Sequence, residues 1–137
     1  MTLLVQELEV AADYGQIYIY DPETQLAEGH VTEEDYPPLQ ALDDAHDSRR
    51  FVGCASGLID VCTPSQYNWS APMRLEVGEE PPRPDAERWD HVVEVALPVR
   101  SGTLVFEASG GGKLIETQIP PGNYRALLGA WLLSHRR

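Results

Sequence analysis

Four apolar segments, "HVVEVALPV", "TLVFEA", "KLIETQI" and "YRALLGAWLL", follow one another with only Ser101-Gly102, Gly110-Gly111-Gly112 and Pro121-Gly122 between them. Short alternating segments separated by glycine and proline are strands, because side chains alternate across a strand, whereas a helix needs a stripe at i, i+3 and i+4. Val93, Val95, Leu97 and Val99 fall on one side, opposed by Glu94 and Pro98. Leu104 and Phe106 oppose Val105 and Glu107, and Ile115 and Ile119 flank Thr117 and oppose Glu116 and Gln118. The expected arrangement is an antiparallel meander with one apolar face. Pro121 and Gly122 suit the two corners of a type II turn. The last segment is apolar on both sides, which suits a strand covered on both faces or an edge with a neighbour over it.

The same period runs through the earlier chain. "LLVQELEV", residues 3–10, and "GQIYIY", residues 15–20, read as strands, the second closed by Asp21-Pro22 because proline removes a ladder donor. Phe51–Ala55 and Leu58–Thr63 read as two short strands around the Ser56-Gly57 turn, and "MRLEVG", residues 73–78, places Met73, Leu75 and Val77 inward. "EEPPRPDAER", residues 79–88, is a loop by its prolines, ended by Trp89. Residues 23–50 form an irregular acidic excursion, with a Thr-x-x-Asp pattern at Thr32 and Asp35. Pro37-Pro38 bars a continuous helix through it, and a short helix is expected from Leu39 to His46, with Leu39, Leu42 and Ala45 or His46 on its inner side. About eight strands with little helix make an all-β chain, an antiparallel β-sandwich spanning residues 1–137 as one domain. A helix-containing barrel is the competing architecture. A chain of this length buries enough surface for a core of its own.

Charge divides the chain unevenly. Residues 1–47 hold twelve acids and no Lys or Arg, and the first basic residue is Arg49. The remaining ten acids are matched by ten Lys and Arg, so the formal charge of -12 resides in the first third. Such a surface repels nucleic acid and suits a basic partner; the plainer reading is that it keeps the protein soluble. The opening "MTLLVQELEVAADYG" lacks a basic leader and meets Glu7 and Glu9 early, so neither signal peptide nor membrane span is expected. A cytoplasmic setting follows as an expectation, with Cys54 and Cys62 as free or buried thiols.

Searches for reactive chemistry return little. "SGGGKL", residues 109–114, lacks the spacing of a phosphate loop, places Leu114 where Ser or Thr is needed, and bridges two strands. His30, His46, His91 and His135 lie too far apart in sequence for metal-ligand spacing. No Gly-x-Ser-x-Gly elbow is present, and although acids are plentiful, none is singled out as a glycosidase-like pair. No catalytic residue, metal or cofactor is therefore assigned, and an enzyme is not expected.

One stretch asks for a function. In "ADYGQIYIYDPE", Ile17 and Ile19 point inward while Tyr14, Gln16, Tyr18 and Tyr20 share the face that should be wet. "LEVAADYGQIYIYD" resembles the opening strand pair of the competence protein J family, also called the competence nuclease inhibitor family, in which an aromatic-x-Gln step precedes an apolar and aromatic strand. "HVVEVALPVRSGTLVFEAS" and "LIETQIPPGNYRALLGAW" resemble its closing strands, where a Pro-Gly turn leads into a strand starting with Tyr. The resemblance covers residues 8–21 and 91–131; residues 23–90 differ in length and content.

That resemblance implies a small binding protein whose better-known relative holds a DNA-entry nuclease inactive. The charge layout is compatible on separate grounds, since nucleases that grip phosphates present basic clefts and a carboxylate surface steers association with them. Tyr14, Tyr18 and Tyr20, flanked by Asp13 and Asp21 and joined by Glu33, Glu34 and Asp35 of the excursion, form the expected contact stripe. If the excursion folds back over the tyrosines, they are ordinary half-buried aromatics instead. A small-ligand or carbohydrate-binding sandwich using Trp69 and Trp89 as stacking platforms is the alternative, and a structural or self-associating domain of unassigned role is the third, homodimerisation through an edge strand being open to any such sandwich.

Overall fold

The computed structural model describes residues 2–13, 15–24, 37–49, 51–63, 69–78, 91–110 and 114–130. The strands are β1 (Thr2–Ala12), β2 (Gln16–Tyr20), β3 (Val52–Ala55), β4 (Leu58–Cys62), β5 (Trp69–Gly78), β6 (His91–Val99), β7 (Thr103–Ala108), β8 (Leu114–Gln118) and β9 (Gly122–Ala130), with helix α1 (Pro37–Ser48) before β3. A central antiparallel sheet has the order β3-β4-β2-β7-β8, and two antiparallel pairs, β1-β5 and β6-β9, supply the remaining strands. The sheets do not close on themselves, so the architecture is a sandwich and not a barrel.

Two-residue alternation explains which sides meet. The central sheet turns Ile17, Ile19, Val52, Ile59, Leu104 and Phe106 to one face, and the two strand pairs turn Val10, Val77, Val93, Val95, Leu97 and Val99 to meet them in one buried cluster. Each fully buried side chain of this kind contributes about 1.5–3 kcal/mol from apolar area removed from water. The Thr117 hydroxyl on β8 donates to the Gln6 side-chain oxygen on β1, so the polar pair inside the sandwich satisfies itself across the layers.

The expected meander over the last four strands does not form. β7 pairs with β8 in the central sheet, whereas β6 pairs with β9 in the other layer. Both β6 and β7 have apolar inner sides, and facing each other across the core buries both at once. The Arg100–Gly102 link is therefore a crossing between layers. Gly102 takes φ 87° there, and its carbonyl accepts from the Ile119 amide at 2.8 Å. Gly122 is not the second corner of a type II turn but the first residue of β9, paired with Val99. Ser56 and Gly57, at φ 51° and 79°, do make the tight β3–β4 turn, with positive φ at both corners as the right-handed strand twist favours.

Helix α1 starts earlier than expected. Pro37 and Pro38 occupy its first turn, where a missing amide costs nothing. Its inner side consists of Pro37, Ala41 and Ala45, while Leu39 is exposed. Small residues are required because α1 lies against the backbone of Gly53 on β3: a Cβ there would collide with the Ala41 carbonyl and stand 2.5 Å from the Ala45 nitrogen. The Asp44 carboxylate accepts from the Cys54 amide at 2.9 Å, so the helix also satisfies a donor on the β3 edge. Cys54 packs toward the core, whereas Cys62 alternates with Val61 onto the outer face, and the two are not joined in a disulfide.

Candidate docking face

The outer face of the central sheet carries the tyrosines. In one row across it, Gly53, Asp60, Tyr18, Glu107 and Leu114 are cross-strand neighbours on β3, β4, β2, β7 and β8. In the next, Tyr20 stands opposite Val105, and Val105 opposite Glu116. Helix α1 lies over the β3 end of the first row. Toward the β8 end, Tyr18, Tyr20 and Glu107 are half-buried and Leu114, Glu116 and Gln118 are exposed. The Tyr20 hydroxyl donates to Glu107 Oε1 at 3.1 Å. Burial, followed by the charges of Glu107 and Glu116, pushes that hydroxyl up to about 12, so it remains a proton donor that holds the Glu107 carboxylate in place.

Asp13 and Asp21, expected to flank the stripe as contact residues, are both turned into the fold. Asp21 is fully buried and serves three residues: its oxygens accept from the amides of Glu23 (2.8 Å), Thr24 (3.3 Å) and Ser101 (2.8 Å) and from the Ser101 hydroxyl. Burial alone pushes its carboxyl up, but the bonds from Ser101, Glu23 and Thr24 outweigh it and hold the group below its ordinary value. Thr24 extends this clamp, donating to the Pro98 carbonyl and accepting from the Arg100 amide. The Asp21-Pro22 pair thus caps a helical turn at residues 22–24 and ties the exit of β2 to the crossing between β6 and β7. Asp13 sits in the turn between β1 and β2, its carbonyl accepting from Gln16 N (3.0 Å) and Ser109 Oγ (2.6 Å). Its carboxylate crowds Gly110, where a Cβ would come 2.5 Å from Oδ2.

Tyr14, Glu33, Glu34, Asp35 and Trp89, and the side chain of Trp69, lie outside the described residues. The described acids of the first third divide between faces. Glu7 and Glu9 are exposed on β1 in the layer opposite the tyrosines, where Glu7 pairs with Arg74 at 2.9 Å, while Asp43 and Asp47 are exposed on α1. Glu107 and Glu116, from the charge-balanced part of the chain, join Tyr18 and Tyr20 instead. Their outward alternation was legible, but their adjacency depends on the β2–β7–β8 register. Among the described residues no group of three or more His, Cys, Asp or Glu could hold a metal, and no helix is long and apolar enough to cross a membrane.

An open antiparallel sandwich, with one helix on its larger sheet and a tyrosine–carboxylate face beside that helix, defines the class. Two solved structures are similar to this chain in fold. Crocagin biosynthetic gene J matches with a TM-score of 0.62 at 15% identity, over 97% of this chain and 80% of that one. ComJ, the inhibitor of the DNA-degrading activity of NucA from Bacillus subtilis, matches with a TM-score of 0.53 at 16% identity, over 93% and 80%. The distant likeness to the competence protein J family, read above from two segments, thus extends as a shared fold over nearly the whole chain. No family model and no curated protein sequence matches it.

Proposed function

We propose that this chain is a protein-binding module, an inhibitor or immunity-like protein, that receives a basic partner such as a nuclease on the outer face of its central sheet. The observation that carries the reading is the placement of Tyr18 and Tyr20 beside Glu107 and Glu116 on one face of a rigid sheet. Tyrosine supplies amphipathic contact area at low entropic cost, and carboxylates fixed nearby supply steering and complementarity to lysine and arginine. The fold shared with ComJ supports the same role. Tyr14, Glu33, Glu34 and Asp35 belong to this proposal by their place in sequence next to β2 and α1; Asp21 does not, because its carboxylate is fully used within the fold.

The test is a titration against purified basic nucleases of the source organism at low and high salt. For a nuclease that binds the parent chain, Glu107→Gln with Glu116→Gln is expected to weaken binding about tenfold or more and to flatten its salt dependence, as removal of close interfacial charges does. Glu7→Gln with Glu9→Gln, on the opposite layer, is expected to change it less than about twofold. The reverse ranking, or equal effects from both pairs, would move the interface away from the tyrosine face.

A further inference from the structure

Asp60 stands in the middle of β4, on the outer face, next to the Gly53 backbone on which α1 rests. It is fully buried, and neither carboxyl oxygen has a hydrogen-bond partner among the described residues. The titratable groups nearest it by register are Cys62 on its own strand, Tyr18 opposite on β2 and Glu107 beyond Tyr18 on β7. From α1, Asp44 lies on the inner side with its Oδ2 taken by the Cys54 amide, while Asp43, His46 and Asp47 are exposed. β3 contributes Gly53 and Ala55 to this face, neither of them titratable. No cation stands among these inner groups to balance a charge on Asp60.

We propose that Asp60 is a proton switch for the docking of α1: carried neutral, it lets the helix seat on β3 and β4, and ionised, it favours the helix lifting away. A buried carboxylate without partners is among the most costly groups a fold can hold, and the cheapest relief is to bring water to it. Lifting α1 does that. The helix rests on β3 and β4 through Pro37, Ala41 and Ala45, with Asp44 accepting from the Cys54 amide, and lifting this one element is less costly than unfolding the sandwich. Burial pushes the Asp60 carboxyl up to about 7, and burial together with the charge of Asp60 pushes the Cys62 thiol up to about 11. Because the docked state binds the proton more tightly than the open state, docking is strongest in acid and weakens as pH rises from about 4 to about 7, with little further change beyond. Opening would also uncover Leu58, two residues from Asp60 on the same face of β4, and enlarge the outer face. This switch does not depend on what the face binds.

Carboxyl-carbon NMR of the whole chain reads the titration of Asp60, and amide exchange, corrected for intrinsic chemical rates, reads the protection of residues 41–48. Asp60 is expected to titrate near pH 7, and α1 protection to fall up to about a hundredfold between pH 5 and pH 7 while amides of β2 and β7 keep theirs. Asp60→Asn, if it folds, is expected to lose that pH dependence. Titration of Asp60 near pH 4, unchanged protection of α1 in the parent chain, or the same fall in Asp60→Asn would each overturn the switch.

Discussion

Gly53→Ala is expected to unseat α1 and to destabilise the protein by about 3 kcal/mol or more, as overpacking against immovable atoms does. The added methyl would meet the Ala41 carbonyl and stand 2.5 Å from the Ala45 nitrogen and 2.9 Å from the Ala41 carbonyl carbon. All three are backbone atoms, so no rotamer change relieves the clash. The helix must move outward, which uncovers Ala41 and Ala45 and breaks the bond from the Cys54 amide to Asp44. Denaturant unfolding followed by circular dichroism checks this against Gly122→Ala, whose new Cβ would find nothing nearer than 3.8 Å and is expected to shift stability by less than about 1 kcal/mol. Equal effects from the two substitutions would mean that α1 does not sit tightly on β3.

Asp21→Ala is expected to cost about 2–4 kcal/mol, because it strips the acceptor from a partly buried set of donors. The amides of Glu23, Thr24 and Ser101 and the Ser101 hydroxyl all donate to this carboxylate. The pH dependence has a definite sign. The folded-state carboxyl is held below its ordinary value, so its contribution is present at neutral pH and is lost as pH falls through that lowered value, below about 4. Asp60 contributes in the opposite sense, its stabilisation declining as pH rises toward about 7. Unfolding free energy measured from pH 2 to pH 8 is expected to lose part of its acid arm in Asp21→Ala. An acid arm of parental steepness would show that Asp21 is not the group responsible.

The two aspartates also show what a sequence reading can reach. Asp21 followed by Pro22 is visible as a turn, but its main partner, Ser101, lies 80 residues away, and no local pattern announces that distance. Asp60 sits within "LIDVC", where alternation marks it as outward, yet it is fully buried beside the Gly53 backbone on which α1 rests, and no local pattern announces that cover. Faces were legible throughout because the strand period is a local property: Leu104 and Phe106 against Val105 and Glu107 fall as expected. Pairing was not, because β6 can satisfy its apolar side beside β7 or across the core from it, and alternation is identical in both cases. For the candidate face, Tyr18 and Tyr20 were found by the same rule. Glu107 and Glu116 were passed over because charge counted along the chain is not charge counted over a surface.

Site-specific photocrosslinking asks most directly whether the tyrosine face is where a partner lands. A benzophenone amino acid at position 18, with position 9 on the opposite layer as its counterpart, would be irradiated in the presence of a basic nuclease that the parent chain binds. The account predicts a covalent adduct from position 18 that high salt suppresses, and little from position 9. An adduct confined to position 9, or one from position 18 that salt leaves unaffected, would contradict it.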